Sequence, residues 1–159
     1  VVCEIHVIND KKLPELVAKL LTIIGSKLSH PLILQFSEHA LQQNLSQAQT
    51  QIALLRQFGA EISIRNFGDS LYSDSILKQI DTQYLSFHPK LSKMLDSDKH
   101  MPALQEKILH YIAQKPVEIL LPDLNDMNLF ANAWNVEARY LQGNYFQKKL
   151  DRLTDVQDQ

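Results

Sequence analysis

The sequence has little of what several protein classes depend on. It contains one cysteine, Cys3, which excludes an internal disulfide framework and fits a reducing compartment. Its four glycines are scattered and form no glycine-rich phosphate loop. The longest apolar candidate, Leu13–Ile24, contains a proline and two charged residues, so we expect no membrane insertion. The first residue is Val, and no basic start precedes an apolar run, which predicts a chain without a signal peptide, cut from a larger cytoplasmic protein.

The chain also lacks an excess of charge of either sign. It has 16 Lys and Arg against 18 Asp and Glu, for a formal net charge of -2. This balance argues against a nucleic-acid binder held mainly by phosphate contacts. A hydrophobic content of 45% in 159 residues is enough for the core of one domain, and 21% charged residues is not typical of a disordered tail.

What the sequence does have is a regular alternation of strand-type and helix-type patterns. Each short apolar run is followed by a stretch in which apolar residues recur with helical spacing. Gly59 falls where the helix before it would need a C-cap. About six such β–α steps predict an α/β fold with a mostly parallel sheet. The strand-type runs are 3–8, 32–36, 61–64, 84–87, 117–121 and 139–141, and the helical ones include 13–28, 45–58, 71–80, 104–112 and 126–134.

In parallel α/β folds, chemistry is found at the carboxyl ends of the strands. Only Glu38 and Asp123 are anions at these ends, whereas a two-metal hydrolase needs several converging carboxylates. Arg65 would repel a divalent cation from the same edge, so we expect no metal site. The residues at these ends are Gln35, Ser37, Glu38, Arg65, Asn66, Ser86, His88, Asp123, Asn125 and Gln142.

Other residues that often carry chemistry have simpler interpretations here. The six histidines show no i, i+4 pair and have no nearby cysteine, so a zinc site is not expected. We interpret Cys3 as a small core residue rather than a nucleophile. The larger aromatic residues are predicted to belong to the core rather than to a base-stacking platform: Phe58, Phe67, Trp134, Tyr140 and Phe146.

Five stretches, in the right order and spacing, resemble motifs of EAL domains, the cyclic-di-GMP phosphodiesterases. Residues 34–38 resemble L-E-I-T-E, and 64–73 resemble D-D-F-G-T-G-Y-S-S. Residues 84–89 fall on Y-L-K-I-D, 121–125 on A-E-G-V-E, and 139–146 on D-Y-V-Q-G-Y-Y-F. The resemblance covers essentially the whole chain and is greatest to the FimX-type degenerate EAL domains of type IV pilus control.

The resemblance implies a fold and a domain layout. EAL domains are TIM-type (β/α) barrels, and the strand that bears E-A-L would precede residue 1. We therefore expect an incomplete barrel with about six of eight strands, mostly parallel. Residues 1–150 would be the C-terminal part of a degenerate EAL domain, and 151–159 a flexible tail.

The resemblance also implies that nearly every metal ligand of the family is replaced. Glu38 and Gln142 persist, while the asparagine of the first strand corresponds to His6 or, in a looser alignment, to Asn9. We therefore expect no catalytic residue, no metal and no phosphodiesterase activity. The replaced family positions are Gln35, Arg65, Asn66, Ser86, His88, Pro122 and Asn125, and the candidate ligand-binding residues are Glu38, Asp123, Gln142 and Gly143.

Two roles remain open for individual residues at this stage. Gln142 either holds a nucleotide at the barrel mouth or is a hydrogen-bonded glutamine that ends a strand. Arg65 either contacts a ligand phosphate or, in the interpretation we favour, is solvated or forms an ion pair with Glu38.

We expect an inactive EAL domain that acts in cyclic-di-GMP signalling as a protein-interaction or regulatory module, in control of pili, twitching motility or biofilm. The alternative is a receptor that binds cyclic-di-GMP without hydrolysing it, so that the nucleotide is a ligand and no cofactor is needed. The resemblance implies a PilZ-domain or pilus-motor protein as partner. Because the six predicted strands leave two open edges, near 3–8 and 139–141, a homodimer through one edge is also expected.

Overall fold

The computed structural model describes residues 2–5, 12–24, 31–96, 99–122 and 140–141, which fall in two compact units, 1–85 and 86–159. No helix in these ranges is long and apolar enough to cross a membrane. The strands are β1 (Val2–Ile5), β2 (Ile33–Ser37), β3 (Glu61–Phe67), β4 (Tyr84–Phe87), β5 (Glu118–Leu121) and β6 (Tyr140–Leu141). The helices are α1 (Leu13–Ile24), α2 (Glu38–Gln43), α3 (Leu45–Gln57), α4 (Ser73–Gln79), α5 (Pro89–Ser92) and α6 (Met101–Gln114).

The first unit is a parallel sheet whose strands are connected through helices. Its strand order is β1-β2-β3, followed by the start of β4. β1 and β2 are parallel, as are β2 and β3, and Glu4 pairs with Gln35, which in turn pairs with Ser63. Parallel neighbours require a crossover connection, and the helices that follow β1 and β2 supply it.

The two faces of this sheet differ in composition. Side chains alternate between faces along a strand. Leu34, Phe36, Ile62 and Ile64 lie on one face, at most 1% exposed, and we call this the apolar face. Helices α2 and α3 contact β2 and β3 and add their own buried side chains to this core. The opposite face, which we call the polar face, carries Glu4, Gln35, Ser63 and Arg65.

Helix α3 ends at the position that Gly59 indicated in the sequence. Gly59 has φ 93°, in the left-handed region that favours glycine. Its N–H donates to the carbonyl of Arg56 at 3.0 Å, and the N–H of Ala60 donates to that of Leu55 at 3.2 Å. These two bonds form a Schellman motif, which turns the chain into β3. The predicted C-cap is confirmed.

The second unit combines strands β4, β5 and β6 with helices α5 and α6. β5 and β6 are parallel, with Leu121 paired to Leu141. Helix α6 buries Leu104, Ile108 and Tyr111, which are spaced to lie on one face. The Tyr111 ring packs edge-to-face on Phe87, with centroids 5.9 Å apart.

Three details of the sequence-based interpretation are corrected. Cys3, predicted to be in the core, is exposed, because β1 is the first strand in the order. Phe58 is 44% exposed, since it follows the last helical residue and the turn at Gly59 carries it outward, whereas Phe67 is fully buried as predicted. Strand β3 continues to Phe67, beyond the predicted end at 64. The side chains of Trp134, Tyr140 and Phe146 lie outside the described residues.

Candidate ligand site at the strand ends

Glu38 is placed at a strand end because β2 passes directly into helix α2. Ser37 is the N-cap of this helix, and its Oγ accepts a hydrogen bond from the N–H of Ala40 at 3.1 Å. Glu38 is therefore the first helical residue, where a negative charge is stabilised by the helix dipole. The residue is only 5% exposed.

The Glu38 carboxylate is hydrogen-bonded by other groups of the protein. Its Oε1 accepts a short hydrogen bond from the Ser73 hydroxyl and a second, at 3.4 Å, from the N–H of Gly68. Ser73 is itself 1% exposed and lies 3.4 Å, Oγ to Oγ, from Ser70, whose Oγ accepts from the N–H of Tyr72. A buried carboxylate needs such donors to offset its lost hydration. Glu38 thus anchors the segment from Gly68 to Ser73.

An unusual backbone turn leads into the segment that Glu38 anchors. Asn66 has φ 56° and Gly68 has φ 99°, both in the left-handed region. Asn is among the few non-glycine residues that adopt this conformation readily, because its short polar side chain can hydrogen-bond locally. The turn is therefore built from residue types that tolerate a left-handed backbone. By the resemblance, Asn66 corresponds to the second of the paired aspartates and Gly68 to the glycine of the same motif.

The polar face holds Gln35 and Arg65 through different contacts. Gln35 Nε2 donates to Ser63 Oγ at 3.1 Å, across the β2–β3 register. Arg65 Nε lies 3.9 Å from Glu4 Oε1, and the two side chains are 34% and 51% exposed. The expected ion pair of Arg65 with Glu38 is therefore wrong. The register brings Glu4 beside Arg65, while Glu38 is occupied by Gly68 and Ser73.

This arrangement favours an anion over a cation. The Arg65 Nε atom is buried and has no hydrogen-bond acceptor within the part of the chain that the structure describes. A guanidinium presents planar donors that suit a phosphate or carboxylate, and its charge repels a divalent ion. Across the described ranges, no group of three or more His, Cys, Asp or Glu side chains could hold a metal ion.

In the second unit, His88 takes a structural role that the sequence did not predict. Its Nδ1 accepts a hydrogen bond from the N–H of Lys90 at 3.1 Å, so that His88 caps helix α5, with Pro89 at the first helical position. The only sequence signal for a cap was this proline. Ser86 is 7% exposed, and Pro122 is also buried.

The structure places some of the candidate residues, and the roles of the others stay predictions. The structure brings Glu38 to the Gly68–Ser73 segment, and Arg65 to Glu4. The sequence analysis missed the roles of Ser73 and Glu4. Ser73 closes the second matched stretch, which was a usable signal, whereas the position of Glu4 depends on strand register. The residues that lie outside the described ranges are His6, Asn9, Asp123, Asn125, Gln142 and Gly143.

Comparison with known proteins gives one family and several similar structures. The family model for the EAL domain matches residues 5–149. The FimX EAL domain of Pseudomonas aeruginosa bound to c-di-GMP has a TM-score of 0.79 at 21% identity, covering 91% of this chain and 60% of its own. The Xanthomonas citri FimX EAL domain in complex with c-di-GMP has a TM-score of 0.76 at 18% identity, covering 91% and 57%. The EAL domain of Mycobacterium smegmatis DcpA has a TM-score of 0.77 at 14% identity, covering 89% and 64%.

At these identities, the structural likeness shows a shared fold. It confirms the predicted fold class, an incomplete TIM-type (β/α) barrel with mostly parallel strands. The chain spans less than two thirds of the length of each of these structures. No curated protein sequence matches it.

Proposed function

The chain belongs to the EAL domain family, and from this premise we propose that it is a catalytically inactive member that acts in cyclic-di-GMP signalling. In this role it is a protein-interaction or regulatory module. It binds partners and relays a signal without hydrolysing the nucleotide.

The observation that carries this proposal is Arg65 near the carboxyl end of β3. The resemblance places a metal-binding aspartate there, and a guanidinium in its place replaces attraction for a divalent cation by repulsion. Gln35 and Asn66 are likewise amides where carboxylates are expected, and Gln35 is hydrogen-bonded to Ser63. Glu38, the persisting carboxylate, is engaged by Gly68 and Ser73. These features support a domain that does not assemble a two-metal centre.

A second candidate function is a receptor that binds cyclic-di-GMP as a ligand, without a metal or other cofactor. Asn66 and Gly68 have a left-handed backbone, and Arg65 Nε has no hydrogen-bond acceptor among the described residues. A phosphate of the nucleotide would supply that acceptor. Two of the structurally similar FimX domains were solved with c-di-GMP bound, which supports this alternative.

For partners, we propose a PilZ-domain protein or a pilus-motor protein, in the cytoplasm. This follows from the likeness to FimX-type domains and would place the chain in the control of type IV pili, twitching motility or biofilm formation. Asp123, Gln142 and Gly143 belong to the proposed nucleotide site only if the receptor alternative holds.

The first test is hydrolysis of cyclic-di-GMP by the purified chain with Mg²⁺ or Mn²⁺, followed by chromatography of the products. We expect the nucleotide to remain cyclic, while an active EAL enzyme under the same conditions linearises it. Linear product above the background of a sample without protein contradicts the proposal.

The second test is calorimetric titration with cyclic-di-GMP, which separates the two candidates. Heats that fit a micromolar or tighter dissociation constant favour the receptor, and silence favours the interaction module. If binding occurs, Arg65→Gln should weaken it at least about tenfold, the loss expected for one charge-assisted hydrogen bond. Lys19→Gln removes the same charge from an exposed position on α1 and should leave the affinity unchanged.

A further inference from the structure

Arg65 and Glu4 meet because of the register of three parallel strands. Glu4 pairs with Gln35 and Gln35 with Ser63, so Glu4 and Ser63 lie at the same level of the sheet, two strands apart. Arg65 is two residues further along β3 and therefore on the same face. Its side chain reaches back across β2, and its Nε lies 3.9 Å from Glu4 Oε1. The contact thus spans the polar face from β3 to β1.

This contact supplies the guanidinium with a counter-charge but leaves its donor unsatisfied. Hydrogen bonds from a charged N–H to a carboxylate have donor–acceptor distances of about 2.7–3.2 Å. At 3.9 Å, the contact of Arg65 with Glu4 is an ion pair without a hydrogen bond. The Arg65 Nε atom is buried, and it has no acceptor in the part of the chain that the structure describes. An anion with well-placed oxygens can therefore offer Arg65 more than Glu4 does.

Two further carboxylates of this unit are engaged elsewhere. Glu38 is held by the segment that it anchors. Glu61 lies on the polar face and accepts a hydrogen bond from the Tyr84 hydroxyl at 3.0 Å. It precedes Arg65 by four residues, which is roughly 13 Å along the strand. Of these three carboxylates, Glu4 is the one whose charge acts on Arg65.

We propose that Glu4 competes with an anionic ligand for Arg65 and thereby sets the affinity of this site for phosphate groups. The inference deepens the receptor alternative and rests on the anion site proposed at Arg65. A bound phosphate takes the place of Glu4 and gives the guanidinium two acceptor oxygens. Binding must break the ion pair and bring a second negative charge close to Glu4. The charge of Glu4 therefore biases the chain towards the interaction module and away from the receptor.

The size of the effect follows from the exposure of the pair. The two side chains are 34% and 51% exposed, so the ion pair is weakly held. Breaking such a pair lowers the affinity of a competing ligand by a factor of up to about five, and repulsion between Glu4 and the phosphate adds to this. Glu4→Gln keeps the shape of the side chain and removes its charge. We expect this variant to bind phosphate groups about three- to tenfold more tightly than the parent.

Titration with inorganic pyrophosphate tests the competition without the nucleotide. In the ¹⁵N-labelled whole chain, the Nε–Hε signal of Arg65 is identified by its loss in Arg65→Gln. The shifts of this signal and of the Asn66 backbone amide, in about 0.15 M NaCl, give the dissociation constant of pyrophosphate. The constant for Glu4→Gln should be about three to ten times lower than that of the parent chain.

Glu61→Gln is the matched control. It removes the same charge from the same face of the sheet, and the glutamine oxygen can still accept from the Tyr84 hydroxyl. Because its distance from Arg65 exceeds the Debye length of about 8 Å in this buffer, the affinity should stay that of the parent. A second control is Glu4→Gln/Arg65→Gln, measured at the Asn66 amide. It should bind no more tightly than Arg65→Gln alone, because the gain acts through the guanidinium.

Calorimetric titration of the same variants with cyclic-di-GMP separates this inference from the proposed function. If the nucleotide binds neither the parent nor Glu4→Gln, while pyrophosphate binds Glu4→Gln more tightly, the receptor alternative fails and the competition stands. Four results with pyrophosphate would overturn the competition. They are no shift at Arg65 in any variant, binding by Glu4→Gln no tighter than by the parent, an equal gain in Glu61→Gln, and a gain that persists without Arg65.

Discussion

The two faces of the β1–β3 sheet differ in the contacts that their side chains make. On the apolar face, Phe36 and Ile64 are at most 1% exposed and are covered by helices. On the polar face, Arg65 is about one third exposed and meets Glu4 at 3.9 Å, a long distance for an ion pair. Stability therefore comes mainly from one face, while the residues at the family's chemical positions lie on the other or at its edge. This separation implies that a change of the polar residues need not disturb the apolar core.

The strongest test of this comparison is Phe36→Ala against Gln35→Ala. These neighbours on β2 point to opposite faces. Removing the fully buried Phe36 ring should lower the free energy of unfolding by about 3–5 kcal/mol, through lost burial and a residual cavity. Gln35→Ala removes one partly buried hydrogen bond and should lower it by about 1 kcal/mol. Urea denaturation followed by circular dichroism measures both, and equal losses would refute the division between faces.

Glu38 lies just after the end of β2, as the first residue of α2, and should have an intermediate effect. Glu38→Ala leaves the Ser73 hydroxyl and the Gly68 N–H without an acceptor, which should lower the free energy of unfolding by about 1–3 kcal/mol. Limited proteolysis should show faster cleavage between Gly68 and Ser73. Glu38→Gln keeps one acceptor oxygen and should lose less. A Glu38→Ala variant with unchanged stability and proteolysis would show that the carboxylate does not anchor the segment.

The smallest effect is expected at Arg65. A double-mutant cycle of Arg65→Gln and Glu4→Gln should give a coupling energy of about 0.2–1 kcal/mol, as found for exposed ion pairs, and 1 M NaCl should diminish it. Urea denaturation of the parent, both single variants and the double variant provides the cycle. A coupling as large as the loss in Phe36→Ala would contradict the assignment of stability to the apolar face.

Much of the fold could be predicted from the sequence, because it is encoded in local patterns. The apolar run at β2 predicted a buried strand, and its Leu34 and Phe36 are buried, while all six predicted strands have counterparts in the structure. Gly59 marked the end of α3, since few other residues adopt its backbone conformation. Such features depend on a few neighbouring residues.

Two of the failures, at Cys3 and Arg65, have a different cause, which is dependence on strand order and register. Cys3 fits a core pattern, but the pattern does not reveal that β1 has a single neighbour in the described sheet. Arg65 was assigned to Glu38, yet register brings Glu4 to it, and Glu38 finds donors within its own neighbourhood. Phe58 continues a helical period, but the helix stops one residue earlier. Contacts between segments decide the first two cases, whereas that of Phe58 depends on where the helix ends.

The left-handed backbone at Asn66 has a consequence for the evolution of the site. Asp and Asn are both tolerated at φ 56°, and their codons differ at a single base, so one point mutation introduces a carboxylate there without strain in the main chain. No arginine codon becomes an aspartate codon by one base change. Asn66 is therefore a position where one base change introduces a carboxylate, while an aspartate at Arg65 needs at least two.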